Sequence, residues 1–227
     1  MITVHHLQNS RSQRILWLLE ELGVDYEIKR YERDPDTSLA PAELQRIHPL
    51  GKSPIITDGE VTVAESGAIV EYLVHKYDVG RLLPADGTPE RLAYTYWLHY
   101  AEGTFMPLMI ISLIVGRIET APMPFFARPI AKGIAGKVRS GFLDPNIKRN
   151  LAFMEASLGK STWFCGEEMT AADRQMSFPV EAAEVRADLR DDYPLLAAYL
   201  DRVRAMPTWQ TALEKGGPYE LLGKKPK

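Results

Sequence analysis

His48-Pro49-Leu50-Gly51-Lys52-Ser53-Pro54 runs into Ile55-Ile56-Thr57-Asp58-Gly59-Glu60-Val61-Thr62-Val63 and then into Ala64-Glu65-Ser66-Gly67-Ala68-Ile69. The first stretch reads as a loop. The next two short β-rich runs flank an Asp58-Gly59 turn, which marks a hairpin. Ala68 to Tyr77 then reads as a helix with Ile69 and Leu73 facing inward, joined by the stems of Tyr72 and Lys76. Loop, hairpin and helix in this order end one structural unit near residue 77.

On the N-terminal side, Ile2 to Leu7 is a strand. Ile15, Leu16, Leu18, Leu19 and Leu22 are spaced as an amphipathic helix that stops at Gly23. Tyr26 to Tyr31 alternates as a second strand. Strand, helix and strand within about 30 residues make a parallel pair. Pro41-Ala42-Glu43-Leu44 opens a short helix. The order is β-α-β-α-β-β-α over residues 1–77.

On the C-terminal side, residues 78–89 are rich in Gly, Pro and Asp and read as a linker. Beyond them the strand signal ends. Helical patterns cover 89–119, 145–159, 171–187 and 193–206, with Asp144-Pro145 as an N-cap and first-turn proline. Residues 123–142 read as an irregular further helix. The expected architecture is an α/β domain (1–77), a linker (78–89) and an all-helical domain (90–227).

The composition narrows the function. With 27 Lys+Arg against 30 Asp+Glu, the net charge of −3 leaves no broad basic field for nucleic acid. Lys224, Lys225 and Lys227 read as a solvated tail. One cysteine, Cys165, excludes an intramolecular disulfide and a cysteine-cluster metal site. It reads as a small buried residue. The N-terminus lacks the pattern of a secretory signal, and the longest aliphatic run, Leu108 to Val115, is short for a bilayer. A soluble cytoplasmic protein is expected. His5 and His6 face opposite sides of one strand, and His48, His75 and His99 lack ligand spacing, so no metal is expected. No phosphate-binding glycine loop is present.

Three places can carry chemistry. Ser10 lies between strand and helix, where unpaired backbone N–H groups and the helix dipole favour an anion such as a thiolate. Ser10-x-x-Gln13 also fits a capping box. Ser53-Pro54 precedes a strand; only a cis bond there would turn the preceding backbone groups outward toward a peptide-like ligand, and cis is the rarer isomer. Glu65-Ser66 opens a helix: Ser66 fits a cap, and the pair also suits an amino-acid zwitterion. Thr170 and Asp173 form a capping box assigned to folding. Tyr94, Tyr96, Trp97, Tyr100 and Phe105 share one helix. Most of this series is expected in the core, with some members lining a pocket that faces Ser10.

Together, Asn9-Ser10-Arg11-Ser12-Gln13-Arg14, the His48–Pro54 loop, Ala64–Ile69 and Phe164-Cys165-Gly166 with Thr170 to Asp173 resemble a cytosolic glutathione transferase over nearly the whole chain. The nearest pattern is that of fungal and bacterial serine-type members. The resemblance implies a thioredoxin-like N-terminal domain and a helical-bundle C-terminal domain. It implies a cis Pro54, with the Ser53 backbone on the cysteinyl part of glutathione. Glu65 and Ser66 hold the γ-glutamyl end, and Lys52 lies near the glycyl carboxylate. Ser10 stabilises the thiolate, with Asn9, Arg11 and Ser12 as reserves. Glutathione is the co-substrate, and the partner is a hydrophobic electrophile, with peroxide reduction as a second activity. A homodimer around the third and fourth helices is implied, with Glu102 near a position that can reach the neighbour's glutathione. Thiol–disulfide oxidoreductases need a cysteine where Ser10 stands. A glutathione carrier or interaction module of the same fold is the alternative, and the presence of Glu65 and Ser66 argues for ligand binding.

Overall fold

A computed structural model describes residues 1–186, 189–217 and 219. The basic tail from Lys224 and the last expected residue of the helix 171–187 lie outside them. The first domain is a four-stranded sheet in the order β2-β1-β3-β4, built from β1 (Ile2–Leu7), β2 (Tyr26–Tyr31), β3 (Ile55–Asp58) and β4 (Val61–Ala64). β1 runs parallel to β2, with Val4 opposite Ile28, and antiparallel to β3, with Val4 opposite Ile56. Asp58 pairs with Val61, so the hairpin loop is Gly59-Glu60, one residue later than expected. Gly59, at φ +61°, supplies its left-handed position. Asp58 accepts from Tyr72 Oη (2.9 Å), Tyr77 Oη (2.6 Å) and Lys76 Nζ (2.6 Å), pinning the hairpin to α3 (Ser66–Tyr77). Lys76 is exposed, so its stem does not join Ile69 and Leu73 in the core.

The first helix, α1 (Ser12–Leu22), departs from its amphipathic reading: every residue from Ser12 to Leu19 is buried. The reason is long-range. α1 lies between the sheet and the second domain, and a helix absent from the sequence reading, α11 (Pro207–Gly216), covers its far side. Trp17 and Trp209 meet edge-to-face at 5.2 Å, and Trp17 Nε1 donates to Thr208 Oγ1 (3.1 Å). The short α2 (Glu43–Ile47) lies between β2 and β3.

The second domain is helical. α4 (Pro89–Tyr100) continues through a π-helical turn, Ala101–Phe105, into α5 (Met106–Thr120). α6 (Arg128–Val138) continues likewise through Arg139–Leu143 into α7 (Asp144–Leu158). Asp144 is therefore not an N-cap; the helix passes through it. Both π turns lead into a proline. Pro107 and Pro145 lack an N–H for the usual bond four residues back. The residue before each proline reaches five back instead, Met106 to Ala101 and Asp144 to Arg139. α8 (Ala171–Arg186), α9 (Leu189–Asp192) and α10 (Pro194–Ala205) complete the bundle. The Thr170 box forms as read: Asp173 Oδ2 accepts from the Thr170 N–H (2.8 Å) and hydroxyl (2.9 Å), and Oδ1 from Phe164 N–H (2.8 Å).

The helical stretch Pro89–Thr120 is long enough to cross a membrane, and an 18-residue window within it is apolar enough, with mean hydropathy 1.5. Counting only unbroken aliphatic runs missed this. Leu98, Ala101, Phe105 and Met109 bury one face of it in the bundle core.

Candidate functional site

The loop before β3, the start of α3, the start of α1 and the first π turn converge on one cleft of about 220 Å³. It is lined by Lys52, Ser53, Pro54, Glu65 and Ser66 from the first three elements' domain, by Arg11, and by Glu102 and Ile110 from the second domain. Gly51 makes the bend at φ +57°, and a Cβ there would lie 2.6 Å from Gln45 Cγ, so only glycine fits. The Ser53–Pro54 peptide is cis. Glu65 precedes α3 with φ +70°, a conformation that costs a non-glycine residue on the order of 1–3 kcal/mol and concentrates at functional sites.

Ser66 does not cap its helix. Its Oγ accepts from Arg14 Nη2 (3.1 Å) and Gln175 Nε2 (3.3 Å). Both lone pairs are then occupied, and the hydroxyl hydrogen is left to donate into the cleft. Arg14 is fully buried and binds three elements at once. It donates to Ser66, to the Glu102 carboxylate and to the Gln175 carbonyl. That carbonyl lacks a helix partner because Pro179, four residues on, has no N–H. Burial pulls the Arg14 pKa down, and Glu102 opposes it. Burial raises the Glu102 carboxyl, but Arg14 and Arg11 outweigh it and hold the pKa below the usual carboxylate range. Arg11 Nε donates to Glu102 at 3.0 Å. Glu102 thus faces its own chain's cleft, aimed there by the π turn. Neither Arg14 nor Gln175 was singled out as a partner of Ser66, because they lie 52 and 109 residues from it in the chain.

Ser10 sits behind Ser53 and is almost fully buried. The capping box does not form: Ser10 Oγ accepts from Ser12 N–H (3.2 Å) rather than from Gln13, and α1 starts at Ser12. Instead a chain of side chains runs inward, from Ser53 Oγ to Ser10 Oγ (3.3 Å), to Ser12 Oγ (2.7 Å), to His6 Nδ1 (2.8 Å). Its polarity can be worked out. Burial, then Arg30, lowers the His6 pKa to about 4, so the ring is neutral at pH 7. A backbone bond at Gly216 pulls the other way, as a carbonyl accepting from the ring would. Nδ1 is then the acceptor, Ser12 donates to it, and Ser10 donates to Ser12. The Ser53 hydrogen is shared between Ser10 Oγ, which completes the chain, and His5 O (3.1 Å). In this arrangement the Ser10 hydrogen points inward. Asn9 holds φ +53° and shapes the turn into α1.

Elsewhere the expectations divide. Tyr94, Trp97, Tyr100 and Phe105 are buried. None of the aromatic series lines the Ser53 cleft; Tyr96 and Trp97 border a separate hollow with Phe153 and Phe164. The wall that α4 was expected to supply comes from Ile110 on α5. Cys165 is buried, and burial pushes its thiol up to about 12, an inert group. His5 and His6 point apart as read, to Tyr31 and Ser12 respectively.

Comparison with known proteins gives a concordant result. Residues 1–75 match the family model "Glutathione S-transferase, N-terminal domain", and 143–207 match "Glutathione S-transferase, C-terminal domain". The chain is 37% identical over 215 residues to Glutathione S-transferase 3 of Schizosaccharomyces pombe, covering 95% of this chain and 88% of that one. It is 31% identical over 223 residues to Glutathione S-transferase 1 of Saccharomyces cerevisiae, covering 95% of each. A solved glutathione S-transferase from Actinobacillus pleuropneumoniae superposes with a TM-score of 0.80 at 34% identity, covering 97% and 95% of the two chains. Two domains of this fold, in this order, around this cleft, place the chain in the glutathione S-transferase family.

Proposed function

We propose that the protein conjugates glutathione to hydrophobic electrophiles. The observation that carries this is the single cleft in which a free Ser66 donor, the Glu65 carboxylate and the start of α3 lie beside the Ser53–Pro54 edge. An α-carboxylate takes the Ser66 hydroxyl and the unpaired N–H groups of α3, while Glu65 accepts from the ammonium. The cysteinyl backbone pairs with Ser53, and the glycyl carboxylate lies toward Lys52. This directs the thiol at Ser10.

Ser10 then turns its hydrogen from Ser12 to the sulfur, and the dipole of α1 adds to the effect. A hydrogen bond to a charged partner contributes about 1.5–3 kcal/mol, or one to two pKa units of thiol. The thiolate attacks the electrophilic carbon; the thiol proton passes to solvent, and the leaving group departs with its electron pair. Ser10 forms no covalent bond. In the peroxidase reaction the thiolate attacks a peroxide oxygen and expels an alkoxide, which takes a proton from solvent, and a second glutathione thiol displaces water from the resulting sulfenic acid to give glutathione disulfide. Asn9, Arg11 and Ser12 are the reserve donors.

Calorimetric titration with glutathione tests the reading. Micromolar to millimolar binding, with conjugation of 1-chloro-2,4-dinitrobenzene above the uncatalysed rate, supports it. Binding without turnover supports a carrier, which the inward-pointing Ser10 hydrogen favours, and absence of binding supports an interaction module. We place the enzyme in the cytoplasm, a compartment that suits its one buried thiol. We also propose a homodimer through α3 and α4, where Leu92 (74% exposed) and Tyr96 (47% exposed) leave apolar surface uncovered. Sedimentation equilibrium is expected to give twice the chain mass; a monomer at micromolar concentration would overturn this.

A further inference from the structure

α5 and α6 pack side by side and are joined by a tip, residues 121–127, that carries the most exposed aromatic side chains among the described residues. Phe125 is 82% exposed and Phe126 66%, and their rings meet edge-to-face at 5.7 Å. The backbone is already turning into α6 here: Ala127 N–H donates to Pro124 O (3.0 Å) and Ala131 N–H to Ala127 O (3.0 Å). Phe126, Ile130 and Ile134 therefore follow one another at four-residue spacing, with Lys137 three further on, along one side of α6. Ile130 is 64% exposed and Ile134 60%. Ala135, on the far side of the helix, faces the bundle instead and is buried.

Charge is distributed as unevenly as apolar surface. Residues 103–143 hold five cations, Arg117, Arg128, Lys132, Lys137 and Arg139, and one acid, Glu119. Taken from the chain totals of 27 and 30, these leave 22 Lys+Arg against 29 Asp+Glu elsewhere. Glu119 is held by Arg139 at 2.8 Å. The other four cations are exposed and form no salt bridge among the described residues.

Apolar surface set among free cations, with no free acid, fits an anionic lipid interface. There, aromatic and aliphatic side chains enter the acyl boundary while lysine and arginine reach the phosphates, and no matching groove is needed. A second copy of the chain fits less well. A two-fold contact would set the same positive tip against itself. The surface proposed above for the homodimer, at Leu92, also lies far from the tip. The helical stretch from Leu92 to Thr120 rises about 1.5 Å per residue, which separates the two by about 40 Å.

We propose that the tip and the exposed side of α6 dock the protein peripherally on an anionic lipid bilayer, with Phe125, Phe126, Ile130 and Ile134 in the interface and Arg128, Lys132 and Lys137 on lipid phosphates. None of these residues lines the Ser53 cleft, so the inference stands apart from the glutathione reading.

Co-sedimentation of the full-length protein with vesicles tests this, using phosphatidylcholine alone and phosphatidylcholine mixed with phosphatidylglycerol. Binding to the mixed vesicles is expected to be about tenfold tighter or more than to the neutral ones, and to weaken as salt is raised. Phe125→Ser combined with Phe126→Ser is expected to weaken it about tenfold. Lys132→Glu combined with Lys137→Glu is expected to weaken it about 30-fold, from about fivefold for each cation lost near the surface. All four side chains are exposed, so both variants should keep the wild-type thermal melt. No sedimentation with the mixed vesicles, equal binding to both kinds of vesicle, or variants that bind as the wild type does would each overturn the proposal. Larger assemblies of the wild type that the phenylalanine variant dissolves, without vesicle binding, would assign the tip to a second copy and overturn it equally.

Discussion

Ser66 shows how much depends on the partners of one hydroxyl. Arg14 and Gln175 occupy its oxygen and leave its hydrogen for a ligand. Ser66→Ala is therefore expected to weaken glutathione binding about 10- to 100-fold, the range for one hydrogen bond to a charged group, and to lower the melting temperature by a few degrees, because the buried Arg14 and Gln175 donors lose their acceptor. Calorimetry reads the first and a thermal melt the second; unaltered affinity would remove Ser66 from the site. Glu65, Ser66, Ser53 and Pro54 were legible in the sequence because each sits in a short contiguous motif. Arg14 and Gln175 were not, since their roles arise from contacts between segments far apart in the chain. Ser10 was legible as a position, but not in its wiring. Only the fold reveals that Ser12 and the neutral ring of His6 draw its hydrogen inward.

Among the elements, α11 was the clearest omission. Its ten residues follow α10 directly across Met206, and Pro207 reads as readily as a stop as a helix start. Its importance comes from what it covers. Trp209 is 1% exposed against Trp17, and Thr208 bridges Trp17 to Glu21, donating at 2.8 Å. Trp209→Ala is expected to cost about 3–5 kcal/mol in urea unfolding, the usual loss for a buried aromatic. A loss below about 1 kcal/mol would show that α11 merely rests on α1. The two π turns were also illegible. Proline after an apparent cap signals a helix start, and Asp144-Pro145 was read that way. The same dipeptide continues a helix when the preceding turn widens, which depends on packing. By contrast, the parallel pairing of β1 with β2, the β3–β4 hairpin and the inward Ile69 and Leu73 of α3 followed from element order, turn chemistry and helical spacing, whereas the antiparallel pairing of β1 with β3 did not.

At the scale of the whole molecule, burial links stability to pH, and Glu181 is a carboxyl through which the link can be read. Glu181 on α8 is fully buried; burial raises its pKa to about 7, and the Tyr219 hydroxyl that donates to it (2.9 Å) opposes this only in part. An acid whose folded pKa lies above its unfolded value favours folding most at low pH. Stability from this group therefore falls as pH rises from about 4.5, its ordinary value, through about 7. The cost above that range is on the order of 3 kcal/mol. Glu181→Gln is expected to stabilise the protein at pH 8 more than at pH 5, as read by urea unfolding; an equal effect at both would refute the assignment. The central claim is that this cleft delivers the glutathione thiol to Ser10 and that Ser10 favours the thiolate. It is tested most directly by the ultraviolet absorbance of bound glutathione thiolate across pH, in the wild type and in Ser10→Ala. The account predicts a thiol pKa lowered by the wild type and raised by one to two units in the variant. The same lowered pKa in both proteins would contradict it and pass the role to Asn9, Arg11, Ser12 or the backbone of α1.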